Sequence, residues 1–156
     1  MKQSSQFNIL SRHFLALTLA GLLATSGSAF GSGWAVNLSG AQEVPPNTSS
    51  AKGSGEISLA PDGAVSGSVT VTGMTSTAAH IHDGAPGKNG PVIVKLDKTD
   101  TGFAVPGGAK LSAEQITNFK AGNTYINVHS EAFPPGEIRG QLTPPAMSAP
   151  RSSSAY

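Results

Sequence analysis

Apolar residues recur at every second position through most of the central chain, the spacing of strands with one buried face. Trp34, Val36 and Leu38 open the pattern, with Ala35 and Asn37 between them. Over residues 55–60, Ile57 and Leu59 alternate with Glu56 and Ser58; Pro61-Asp62-Gly63 then turns the chain. Over residues 64–72, Val65, Val69 and Val71 alternate with serines and threonines, so the two segments predict a hairpin. A short strand over 77–82 stops at Asp83-Gly84, and one over 91–96 places Val92, Val94 and Leu96 on a common face. Two more, 123–130 and 136–142, are joined by Glu131-Ala132-Phe133-Pro134-Pro135 and send Ile126, Val128, Ile138 and Leu142 inward. The period changes once. Ser112 can cap a helix with Gln115 reaching back and Leu111 stapled onto Ile116, while Ile116 and Phe119 face inward and Gly122 ends it. Residues 98–110 lack a regular pattern apart from an extended piece around 103–105. Short strands, frequent turns and one small helix predict an all-β fold: an antiparallel, Greek-key-like β-sandwich or an open barrel. The expected core includes Ile57, Val69, Val71, Val92, Val94, Ile126, Val128 and Ile138.

The flanks read differently. Lys2 and Arg12 precede the apolar run 14–24, and Gly27-Ser28-Ala29 fits a signal-peptidase site. Residues 1–29 are therefore expected to be a secretory signal, 30–142 a single β domain, and 143–156, rich in Pro, Ser and Ala, a disordered tail. The apolar run is too short for a membrane anchor, so the mature form has no expected span and is placed outside the cytoplasm, secreted or periplasmic. The chain has no cysteine, which rules out a disulfide and a lipoprotein anchor. Ten basic residues face nine acidic ones; losing Lys2 and Arg12 with the signal leaves a charge near −1. With no basic cluster, nucleic acid is not an expected partner.

Chemistry concentrates on histidine. His80 and His82 lie one residue apart in the strand 77–82 and so share one face. In the strand 123–130, Ile126 and Val128 go to the core and Tyr125, Asn127 and His129 take the other side. A loop centred on Phe133 sets His129 opposite Glu137 and Asn127 opposite Arg139. Three neutral imidazoles suit copper or zinc, with a fourth position left for water, a carboxylate or a substrate. Asp83 and Glu137 are additional candidate ligands or acceptors for an imidazole N–H, and Met74 is a candidate soft ligand for Cu(I), although filling a core or loop is its commoner use. Polar surface is the plain alternative for the histidines, and a surface ion pair is the plain alternative for Glu137 and Arg139. The sequence carries no cysteine nucleophile, G-x-S-x-G elbow, P-loop or dinucleotide fingerprint, so no catalytic residue is assigned and enzymatic activity is left open.

Several stretches resemble the CHRD domain family, named for repeats in chordin. They are residues 38–46 (LSGAQEVPP), 78–82 (AAHIH), 84–87 with 89–92, 111–115 (LSAEQ), 123–130 (NTYINVHS) and 136–142 (GEIRGQL). Together they span about residues 36–142. The resemblance implies a secreted, mostly β module but no defined activity. A weaker likeness, carried by His80, His82 and His129, is to the copper–zinc superoxide dismutase sandwich; too few histidines remain here for a dinuclear site. The expectation is a secreted metal-binding module, for copper ahead of zinc, through His80, His82 and His129. The alternatives are a metal-free extracytoplasmic structural or interaction domain, with another extracytoplasmic protein as partner, and a mononuclear copper redox enzyme.

Overall fold

A computed structural model describes residues 33–145; the expected signal segment 1–29 and the tail beyond 145 lie outside the described residues. The strands are β1 (Trp34–Ser39), β2 (Lys52–Leu59), β3 (Val65–Thr72), β4 (Ser76–Asp83), β5 (Val92–Lys95), β6 (Asp97–Lys98), β7 (Gly102–Ala104), β8 (Thr124–Ser130) and β9 (Ile138–Gln141), with one helix, α1 (Ala113–Lys120). All pair antiparallel in one sheet of order β5-β4-β8-β9-β1-β2-β3-β7-β6. The two ends of that order, β5 and β6, are consecutive in the chain and separated only by Leu96. The sheet therefore curls until it is nearly closed. Leu96 is buried and its N–H bonds to the Ala79 carbonyl at 2.9 Å, which ties the seam to β4.

The period-two pattern accounts for the inner face. Val36, Leu38, Ile57, Val69, Ile81, Ile126, Val128 and Ile138 are buried in one cluster with Phe103, Phe119 and Leu142. Each such side chain contributes about 1.5–3 kcal/mol by leaving water. The Trp34 ring meets Phe119 of α1 at a centroid distance of 4.7 Å, so the helix packs against the start of β1. The helix begins as its capping box predicts: the Ser112 Oγ accepts from the Gln115 N–H at 3.2 Å, and the Gln115 Oε1 accepts from the Ser112 N–H at 2.8 Å. In the β2–β3 hairpin, Gly63 takes a positive φ of 84°, which the turn needs and a side chain would resist.

Two expected core positions differ. Val92 is 44% exposed because the β4–β5 register shifts between Ile81 and His82, pairing Ile81 with Val94 but His82 with Val92. That bulge inserts Ile93 and ends the alternation. Val71 is only partly buried, since β7 pairs with β3 no further than Thr70. At the other end, Thr143 bridges to Ala35, with its N–H on the Ala35 carbonyl at 3.0 Å.

The outer face of β4, β8 and β9 is not open to water. Tyr125, Asn127 and Arg139 are 3%, 4% and 2% exposed. The segment 43–47 and the loop 84–91 cover them, held by Asn89 Nδ2 on the Val44 carbonyl at 2.9 Å and Asn47 Nδ2 on the Glu137 carbonyl at 3.0 Å. Among the described residues, no helix is long and apolar enough to cross a membrane.

Candidate metal centre

Strand register assembles the histidines. Pairing of β4 with β8 sets His80 opposite Asn127, His82 opposite Tyr125 and Ala78 opposite His129. The three imidazoles thus rise from two adjacent strands on the outer face, each half-buried. One ligand atom from each lies within 4.8 Å of the other two. Among the described residues this is the one group of three or more His, Cys, Asp or Glu side chains so placed.

Their protons are set by neighbours. His82 Nδ1 lies 2.9 Å from the Gly90 carbonyl, and His129 Nδ1 lies 2.9 Å from the Pro134 carbonyl. A carbonyl only accepts, so each Nδ1 carries the proton and each neutral ring keeps its lone pair on Nε2. His129 Nε2 is 3.0 Å from His80 Nδ1, which donates to it. His82 Nε2 is buried with no hydrogen-bond partner. Burial pulls the His82 pKa below its usual value, the Gly90 carbonyl pulls it back, and the charges of His129 and Arg139 lower it. His80 is also lowered, by burial first and then by His129, His82 and Lys95. In His82 and His129 a backbone carbonyl takes Nδ1 and leaves Nε2 as the ligand atom, an arrangement common among metal-binding histidines.

A polar shell holds the centre. The His82 ring stacks on Tyr125 at 4.7 Å and 8°, and the Arg139 guanidinium lies 3.4 Å from the Tyr125 centroid. Arg139 donates to the Lys88 carbonyl at 2.8 Å and to Asn89 Oδ1 at 3.1 Å, clamping the loop 84–91. Gly90 closes the clamp, its N–H on the Tyr125 hydroxyl at 3.2 Å. Glu43 is 7% exposed, and its Oε1 accepts from Asn127 Nδ2 at 2.7 Å. Burial raises its pKa, opposed by the Asn127 hydrogen bond and the Arg139 charge.

The remaining sequence candidates stand apart. Asp83 accepts from Asn118 Nδ2 at 3.0 Å, which ties β4 to α1, and Glu137 accepts from the Ser49 hydroxyl at 2.6 Å. Neither belongs to the three-histidine group. Met74 packs, partly buried, against the core. Asn127 does pair with Arg139, as expected. The surface ion pair expected of Glu137 and Arg139 does not form, because both are buried and bonded to other groups. Sequence reasoning missed Glu43, Tyr125 and Arg139 as parts of the site. Tyr125 and Arg139 share the histidines' side of the strands, which was a usable signal; Glu43 sits in a loop, where no periodicity locates it.

Fold and site together define a nearly closed antiparallel β domain with a three-histidine group able to hold a metal on its covered outer face. The profile of the CHRD domain matches residues 34–142, and the chain belongs to the CHRD domain family. Neither a curated protein nor a solved structure matches it.

Proposed function

We propose that this is an exported metal-binding module that takes copper through His80, His82 and His129. The observation that carries the reading is His82: its Nε2 is buried with no partner, and its ring offers a ligand atom within 4.8 Å of those of His80 and His129. Leaving a buried polar atom unsatisfied costs about 1–3 kcal/mol, a penalty a metal bond removes. Donors on one ion with bonds of about 2 Å stand about 3–3.5 Å apart. The His80–His129 pair already meets that spacing at 3.0 Å, so His82 is the ring that closes in. Binding replaces the His80–His129 hydrogen bond, with the His80 Nδ1 proton leaving for solvent or for Nε2. Copper is favoured over zinc because nitrogen sites bind Cu(II) most tightly among the first-row divalent ions. Family membership and the signal-like segment both agree with export.

Calorimetric titration of the mature chain at neutral pH should show one Cu(II) site that is tighter than the Zn(II) site. His80→Ala, His82→Ala and His129→Ala should each weaken it by at least about tenfold, the loss that even an outer-shell partner causes. Absence of Cu(I), Cu(II) and Zn(II) binding would overturn the reading.

A metal-free structural role has one observation in its favour: the same hydrogen bonds tie β4 to β8 and to the turn at Pro134. Val128→Ala should cost about 1–3 kcal/mol. A larger loss on His129→Ala, in protein that binds no metal, would select this second reading.

A further inference from the structure

Beside the histidines, the covered face holds a partly open cavity of about 380 Å³, near the small end of the roughly 300–1,000 Å³ typical of small-molecule sites. Val44, Pro46 and Phe133 supply apolar wall, while Glu43, Asn127 and His82 line it with polar atoms. Its buried atoms without partners share one property. Asn127 Oδ1 and His82 Nε2 are buried without partners, and both are acceptors, the second because its ring proton sits on Nδ1. Glu43 is a carboxylate with lone pairs beyond the one that Asn127 engages. It is 7% exposed yet forms no ion pair; among the described residues the one salt bridge is Lys110–Asp62. Buried carboxylates ordinarily have a cationic partner in contact; here Arg139 acts on Glu43 through its charge without forming an ion pair, its guanidinium being engaged by Lys88, Asn89 and Tyr125. The backbone also makes room for this arrangement: Gly136 has φ 146°, and a Cβ there would run into Asn127 Nδ2 and the Glu43 carboxylate.

We propose that the cavity binds a small organic ammonium ion, its NH3+ group seated among Glu43, Asn127 Oδ1 and His82 Nε2 and its apolar body against Val44, Pro46 and Phe133. An ammonium group brings three donors and no acceptor, which matches the three acceptors Glu43, Asn127 Oδ1 and His82 Nε2. A hydroxyl brings one donor, and a carboxylate would meet Glu43 with like charge. The site rests on Glu43 and Asn127 and stands whether or not the histidines take copper. When a metal occupies His82 Nε2, two of the three acceptors remain.

The test is a titration of the chelator-treated mature chain with benzylammonium, benzyl alcohol and phenylacetate at neutral pH, followed by NMR. Benzylammonium should bind about tenfold or more tightly than benzyl alcohol, the margin expected of charge-assisted hydrogen bonds, and should shift the Asn127 side-chain amide. Glu43→Gln keeps the shape and the acceptor for Asn127. It should remove that margin, bringing benzylammonium down to the affinity of benzyl alcohol in the same variant. Failure of benzylammonium to bind, equal binding of the alcohol, or an unaltered preference in Glu43→Gln would each overturn the proposal. The comparison of ammonium with alcohol in the wild type needs no variant to fold, and a failed copper titration would not alter its outcome.

Discussion

His82 connects the features of this site. Its Nδ1 anchors Gly90, its ring lies on Tyr125, and its Nε2 is buried without a partner. A ring held neutral in this way makes stability depend on pH. The folded pKa values of His80 and His82 are lowered, mainly by burial, so below an unfolded pKa of about 6.5 the unfolded chain binds more protons than the folded one. The stabilisation is complete above that pH and is lost as pH falls towards the folded values. Glu43 has the opposite sign, because its raised pKa favours the folded state as the carboxyl becomes protonated. The histidine effect is therefore read by difference. Urea unfolding of metal-free protein at about pH 7.5 and pH 5 should show a smaller acid-dependent loss in His82→Gln than in the wild type. Equal losses would mean that His82 does not contribute.

At the scale of elements, the β4–β8 pairing creates the centre, and α1 supports it from the side. Asn118 of α1 donates to Asp83 at the end of β4, and Phe119 fills the core beneath Trp34. The cap that starts α1 is thus coupled to the strand carrying two of the histidines. Ser112→Ala removes the acceptor for the Gln115 N–H and should destabilise the domain by about 1 kcal/mol. A shift in the urea midpoint at unchanged slope would register this, and an unshifted midpoint would count against it. The bulge at Ile93 matters in the same way: by releasing Val92 from the inner face, it lets β5 run into Leu96 and cross to β6.

For the whole molecule, near-closure of the sheet is what allows a domain without disulfides to hold a polar site. The inner face supplies the apolar burial, leaving one outer patch free to carry histidines, an arginine and a carboxylate under two loops. With no cysteine, the fold is indifferent to the redox state of its compartment. N-terminal sequencing of the extracytoplasmic form should begin at Phe30; recovery of Met1 from that fraction would reject cleavage after Ala29.

Most strand positions, though not the short β6 (Asp97–Lys98), the helix and its cap, and the placement of His80, His82 and His129 opposite their strands' core residues were legible in the sequence. Each depends on spacing along a few residues, and local backbone geometry enforces that spacing. The hairpin register of Asn127 with Arg139 was legible for the same reason, since a short loop sets it. Tertiary structure alone decided that β4 lies beside β8, which turns three separate imidazoles into one group. It also decided that Glu43, distant in sequence, reaches Asn127 to frame a cavity, and that Arg139 is buried on Tyr125 instead of pairing with Glu137 at the surface. These outcomes depend on which strands become neighbours and which loops fold over them. Alternation in sequence tells a side chain which face of its own strand to take, but it carries no information about what will cover that face.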